Sequence, residues 1–206
     1  MILVLGDLDC STLLLSLPMM VSAQENSWEK PKAQTQQNTE QKYLAGAVPE
    51  INGKVTFTTT ISAPGKSSQQ IYDIMLGQLN ELLKEEGQYE NSRISLQDNE
   101  KMMLAGSFQE QLVFKRQPLN FDYTRLMYTL LVECADGQAT VTMSRIHYLY
   151  DEERDPQTFT AEEWITDRYG LNKKQDKLAR ISGKFRRKTI DRKDYLFELF
   201  TNALTK

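Results

Sequence analysis

The strongest constraint in this chain is a dipeptide. Asp136-Gly137 lies between two long runs, 122–134 and 139–150, that alternate apolar and polar residues. Alternation with a period of two places successive side chains on opposite faces of a strand. Asp-Gly favours the two-residue turn whose backbone twist matches that of paired antiparallel strands. This turn predicts the register: Cys134 opposite Ala139, Val132 opposite Val141, Leu130 opposite Met143, Tyr128 opposite Arg145, and Leu126 opposite His147. The first three pairs make a core face. Farther from the turn the pattern inverts, with Arg145 and His147 in the core positions and Met127, Ile146, Tyr148 and Tyr150 on the other side. A β-bulge, or a sheet covered on both faces at that end, accounts for the inversion.

The flanking segments supply further strands and the helices. Val55, Phe57, Thr59 and Ile61 share one face of a half-buried strand over 54–62, and Ala63-Pro64-Gly65 ends it. Ser67 and Gln70 have the spacing of a capping box, in which each side chain satisfies an orphan amide at a helix start. Ile71, Met75, Leu79 and Leu82 then follow at helical spacing until Gly87. Residues 92–96 form a short strand, and the even positions Met102, Leu104, Phe108, Leu112 and Phe114 share the face of another. Thr160 and Glu163 open a short helix that Gly170 closes. From Asn172 the chain reads as helical almost to its end, on Leu178, Ile181, Phe185, Leu196, Leu199, Phe200 and Ala203, with Gly183 as an interruption or kink. The order predicts an α+β domain over 44–206: an antiparallel sheet, one N-terminal helix inserted after the first strand, and a long C-terminal helix packed on the sheet.

The N-terminus reads as an address. Residues 12–21, TLLLSLPMMV, form an apolar run too short to span a membrane, followed by Val21-Ser22-Ala23, the small-residue pattern of a cleavage site. Residues 1–23 are therefore expected to be a secretory signal peptide, although Asp7 and Asp9 stand where such signals carry basic residues. The competing reading takes MILVLGDL as a buried first strand, but another apolar run follows Gly6 rather than a Gly-rich turn and a helix. Lipid attachment at Cys10 is disfavoured by Asp7 and Asp9 and by the position of the apolar run after the cysteine. Residues 24–43 are polar and Gln-rich, with Trp28 the one large apolar residue before Tyr43, and read as a flexible linker.

Several segments resemble a known family. Ala47-Val48-Pro49-Glu50, Gly53-Lys54-Val55, Ala63-Pro64-Gly65 and Gln70-Ile71-Tyr72-Asp73 are similar to the opening of a domain-of-unknown-function family with a TBP-like fold, common in exported proteins of the Bacteroidetes. Residues 162–167 (EEWITD), 171–174 (LNKK) and 183–191 (GKFRRKTID) resemble its C-terminal signature. The resemblance runs from about residue 44 to 191 and implies an α+β domain and an envelope location. It implies no activity, and "TBP-like" describes a shape rather than DNA binding.

Composition excludes most familiar chemistries. One histidine and two cysteines cannot supply a His-rich or four-cysteine metal site, so neither a metal nor a cofactor is expected. A formal charge of −3, from 25 Lys+Arg and 28 Asp+Glu, lacks the basic excess of a dedicated nucleic-acid binder. Cys134 beside the turn and His147 far along the next strand cannot form a nucleophile–base pair in the predicted register. No G-x-S-x-G elbow is present. Two candidate sites remain. Tyr128, Arg145, His147 and Tyr148 could line a ligand cavity where the hairpin pattern inverts. Lys173, Lys177, Arg180, Lys184 and Arg187 recur at steps of three and four along the expected helix, a basic stripe suited to an anionic partner. From 173 to 193 the chain holds ten Lys+Arg against two Asp, while Glu81, Glu85, Glu86 and Glu90 make the first helix acidic. The expected function is an exported, non-enzymatic module that binds an anionic envelope component or a protein partner. The alternatives are an enzyme of unrecognised type near Arg145 and His147, and a purely structural module. Amino-terminal sequencing of protein recovered from the cell envelope should begin at Gln24. A chain that still begins at Met1 in that fraction overturns the signal reading.

Overall fold

The two runs flanking Asp136-Gly137 become the central strands of one antiparallel sheet. The computed structural model describes residues 25–29, 40–117 and 120–205. A single 3-10 turn (Gln41–Tyr43) leads into β1 (Glu50–Ile51), β2 (Lys54–Val55), β3 (Phe57–Ser62) and α1 (Ser68–Leu82). Then come β4 (Arg93–Asp98), β5 (Met103–Gln117), β6 (Asn120–Ala135), β7 (Gln138–Tyr150) and β8 (Gln157–Thr160). Two short helices, α2 (Ala161–Trp164) and α3 (Asp167–Gly170), precede the long α4 (Gly183–Thr205). The main sheet runs β3-β7-β6-β5-β4, and β8 pairs with β7 beyond the end of β3. The chain is thus α+β with an antiparallel sheet, a helix after the early strands and a long C-terminal helix.

The register of the hairpin follows the Asp-Gly turn for its first half. Cys134 pairs with Ala139, Val132 with Val141 and Leu130 with Met143. The expected pairs Tyr128–Arg145 and Leu126–His147 do not form: a bulge intervenes, so that Thr129 faces Ser144, Met127 faces His147 and Leu126 faces Tyr148. Arg145 takes up the extra residue in a left-handed conformation, φ 53°. One extra residue moves every later side chain to the opposite face. Ile146 and Tyr148 thereby rejoin the core face, where both are buried.

That face carries Phe57, Ile61, Leu104, Phe108, Leu112, Leu126, Leu130, Val132, Val141 and Met143, and α1 and α4 pack against it. Helix α1 begins at the expected capping box, with the Ser67 hydroxyl accepting from the Gln70 amide and the Gln70 side chain accepting from the Ser67 amide. It buries Ile71, Met75, Leu79 and Leu82. Helix α4 is anchored at its start by Phe185, whose ring meets those of Phe114 at 4.6 Å, Tyr148 at 5.2 Å and Tyr150 at 5.4 Å.

Two expectations change here. Helix α4 starts at Gly183, not near Asn172, so Gly183 opens the helix rather than kinking it. Between α3 and α4 the chain is a loop because Asn172 diverts it: its side-chain oxygen accepts from the amides of Asp176 and Lys177, and Gln175 is left-handed at φ 57°. Residues 25–29, expected to be linker, are docked. Asn26 accepts from the Val113 amide at 2.8 Å and donates to the Val113 carbonyl at 3.0 Å, satisfying backbone groups beside a bulge in β5. Residues 1–23 and 30–39 lie outside the described residues.

Gly183 has a steric reason. A Cβ there would stand 2.8 Å from the Leu178 Cβ, so only glycine lets the loop return against the helix start. Gly183→Ala should therefore destabilise the fold by about 1–3 kcal/mol, the usual cost of overpacking. A thermal melt unchanged from wild type would contradict this close approach.

Candidate functional site

The first predicted site does not assemble. Tyr128 and Tyr148 point into the helix-covered core and are buried, with Tyr148 Oη 2.7 Å from the Thr189 hydroxyl. Arg145 is exposed at the bulge. His147 lies on the opposite face of the sheet, where its Nδ1 donates to the Arg145 carbonyl at 2.6 Å. The extra residue at the bulge separates the quartet into two inward and two outward side chains, so it lines no common cavity. Cys134 is buried and free, and burial pushes its thiol up to about 11, far from a nucleophile's range at neutral pH.

What the core face does contain is a buried charge. Arg192 of α4 has no solvent exposure. It donates from Nε and Nη2 to the two oxygens of Glu110 in β5, at 2.8 and 2.6 Å, and from Nη2 to Glu85 at 2.8 Å. Gln88 donates to the same Glu110 carboxylate at 2.7 Å, and Tyr195 to Glu85 at 2.9 Å. Burial pushes the Glu110 carboxyl above the ordinary range, against the pull of Arg192. Burial also works to release the Arg192 proton, but Glu110 and Glu85 outweigh it and hold the guanidinium charged. The Tyr128 hydroxyl and Arg192 Nη1 have no hydrogen-bond partner among the described residues. Residues 25–29 cover this centre: Trp28 stands 5.1 Å from the guanidinium and 5.8 Å from the Tyr195 ring, and Lys188 pairs with Glu25 and Glu29. Its signal in the sequence was Glu110, a carboxylate at an even position between Phe108 and Leu112 on an otherwise apolar face.

The basic stripe divides into two parts of different character. On α4 the cations are spent within the fold. Lys184 pairs with Asp122 at 2.7 Å and donates to Tyr150 Oη, and Arg187 pairs with Glu40 at 2.8 Å. Arg186 is fully buried and donates to the carbonyls of Tyr43, Leu44 and Ile165 and to Asp167. Lys173, Lys177 and Arg180 are not on α4 at all. They sit, with Lys174, in the loop 171–182, where all four are exposed and form no ion pair with a described residue. The loop is held by its own bonds: a bridge between Leu171 and Leu178, the Asn172 amide donating to the Lys177 carbonyl at 2.9 Å, and the Ala179 amide donating to that of Gly170. Its one carboxylate, Asp176, accepts from Asn172 Nδ2 at 2.7 Å.

Residues 57–149 match the model of a domain of unknown function (DUF4468) with TBP-like fold. A crystal structure of a DUF4468 family protein from Bacteroides ovatus ATCC 8483 is 40% identical, with a TM-score of 0.75 over 81% of this chain and 95% of that one. The chain belongs to the DUF4468 family. A TBP-like protein from Parabacteroides distasonis ATCC 8503 shares the fold at 19% identity, with a TM-score of 0.61 over 77% of this chain and 97% of that one. No curated protein matches. The DUF4468 match ends with β7, so the free-cation loop lies beyond the matched segment but within the span of the sequence resemblance. Among the described residues no cluster of side chains suits a metal ion, and no helix is long and apolar enough to cross a membrane.

The buried pair should behave as a unit. Glu110→Gln leaves the buried Arg192 guanidinium with Glu85 as its one remaining carboxylate among the described residues and should cost about 3 kcal/mol, the lower end for losing one partner of a buried ion pair. Glu110→Gln combined with Arg192→Met should cost clearly less than the sum of the single changes in urea unfolding. Additive losses would show that the two side chains do not depend on each other.

Proposed function

We propose that the protein is an exported, non-enzymatic module that binds a partner at the cell envelope, and that the loop 171–182 is its contact surface. The observation that carries this reading is the division of the basic residues. Every α4 cation named above is neutralised by a carboxylate of the fold, whereas Lys173, Lys174, Lys177 and Arg180 meet none among the described residues. Four like charges on a short, internally hydrogen-bonded loop repel one another, and an anionic partner relieves that repulsion. Export is supported by the apolar run and the small-residue cleavage pattern before Gln24.

The substitutions that test this differ from those the sequence alone suggests. Lys184→Glu with Arg187→Glu breaks contacts to Asp122, Tyr150 and Glu40 and reports on the fold. Lys173→Glu with Lys177→Glu alters two exposed side chains and should leave the melting temperature unchanged. That variant should move from the envelope fraction to the soluble fraction when cells are fractionated. Retention in the envelope at wild-type level would overturn the loop as the contact surface.

A further inference from the structure

The geometry points to an anionic phospholipid bilayer as the partner of the loop 171–182, with Ile181 and Tyr169 entering the interface. This rests on the binding-module reading above and names its partner.

Ile181 is the most exposed large apolar side chain among the described residues, at 65%, and Tyr169 is 43% exposed. They are neighbours through the backbone: the Ser182 hydroxyl donates to the Tyr169 carbonyl at 2.6 Å, and the Ala179 amide to the adjacent Gly170 carbonyl at 2.9 Å. Ile181 in the loop and Tyr169 in α3 thus stand in water beside the loop's unpaired cations. A bilayer interface has both complements, a negative surface and an apolar layer just below it. Tyrosine suits that depth, since its ring is apolar and its hydroxyl stays at the headgroups.

The type of cation favours a diffuse negative surface over a shaped acidic pocket. Three of the four are lysines. Lysine is a flexible point charge, whereas recognition of a particular carboxylate favours the planar fork of arginine. The arginines of α4 illustrate the second use, with Arg186, Arg187 and Arg192 each held on identified acceptors. The free lysines have no such fixed geometry, and a surface potential demands none.

Vesicle co-sedimentation of the full chain, as purified from cells, tests the proposal. Wild type should sediment with vesicles of phosphatidylglycerol and phosphatidylcholine in equal parts, and not with phosphatidylcholine alone. Lys173→Glu with Lys177→Glu should weaken binding at least about 25-fold, taking roughly fivefold for each cation near an anionic surface. Ile181→Ser, which keeps every charge, should weaken it about tenfold through lost apolar burial. Equal binding by Ile181→Ser overturns insertion, and absence of wild-type binding to anionic vesicles overturns the bilayer as partner. If wild type ignores vesicles while the charge-reversed variant still leaves the envelope fraction, the binding-module reading stands with an acidic macromolecule as partner. If the variant also stays with the envelope, that reading fails as well.

Discussion

Removing a guanidinium from water costs several kcal/mol unless acceptors meet it. Arg192 is buried completely, and its acceptors come from separate parts of the chain: Glu110 from the middle of β5 and Glu85 from the turn after α1. The position of α4 on the sheet depends on that meeting. Sliding the helix by one residue rotates it by about 100° and carries Arg192 away from both carboxylates. Residues 25–29 then close the centre, with Trp28 over the guanidinium and Asn26 completing the hydrogen bonds of β5 beside its bulge. Arg186 performs a second fastening, tying the segment around Tyr43 and the α2–α3 corner to the start of α4.

These fastenings explain the distribution of charge at the surface. A chain that is nearly balanced in sign can still expose one sign locally, if its carboxylates are committed elsewhere. Asp122, Asp167, Glu40, Glu85 and Glu110 are all committed to α4. The loop 171–182 receives no such partner among the described residues, because its turn is satisfied by Asn172 and its only acid is bound to that same residue. Four cations without an ion pair to a described residue therefore stand in the same loop as the most exposed large apolar side chain, and this juxtaposition carries the functional reading.

Much of the fold was legible because its signals are local. The Ser67–Gln70 box, the Asp-Gly turn and the alternation around them each act within a few residues, and each element formed where those patterns put it. The long C-terminal helix was only half legible. Leu178 and Ile181 fall in phase with Phe185, but Asn172 takes up backbone amides that a helix would need, and the phase is accidental. The same accident joined Lys173, Lys177 and Arg180 to Lys184 and Arg187 in one apparent stripe. The candidate cavity failed for a related reason. A bulge of one residue leaves the composition of a strand unchanged yet reverses which face each later side chain occupies.

The amino-acid sequence by itself determined the type of most elements, though not of residues 172–182, together with the turn that sets the first half of the hairpin, the α+β class and the family resemblance. Those follow from interactions between residues close in the chain, where spacing is enough to predict geometry. Only the tertiary structure decided which cations are spent and which are free, that Glu110 belongs to Arg192, and that His147 and Tyr148 face apart. Such pairings join residues up to 163 positions apart, as Lys188 and Glu25 are. No local spacing encodes them, because they depend on the sheet, the bulge and the helix being in place together.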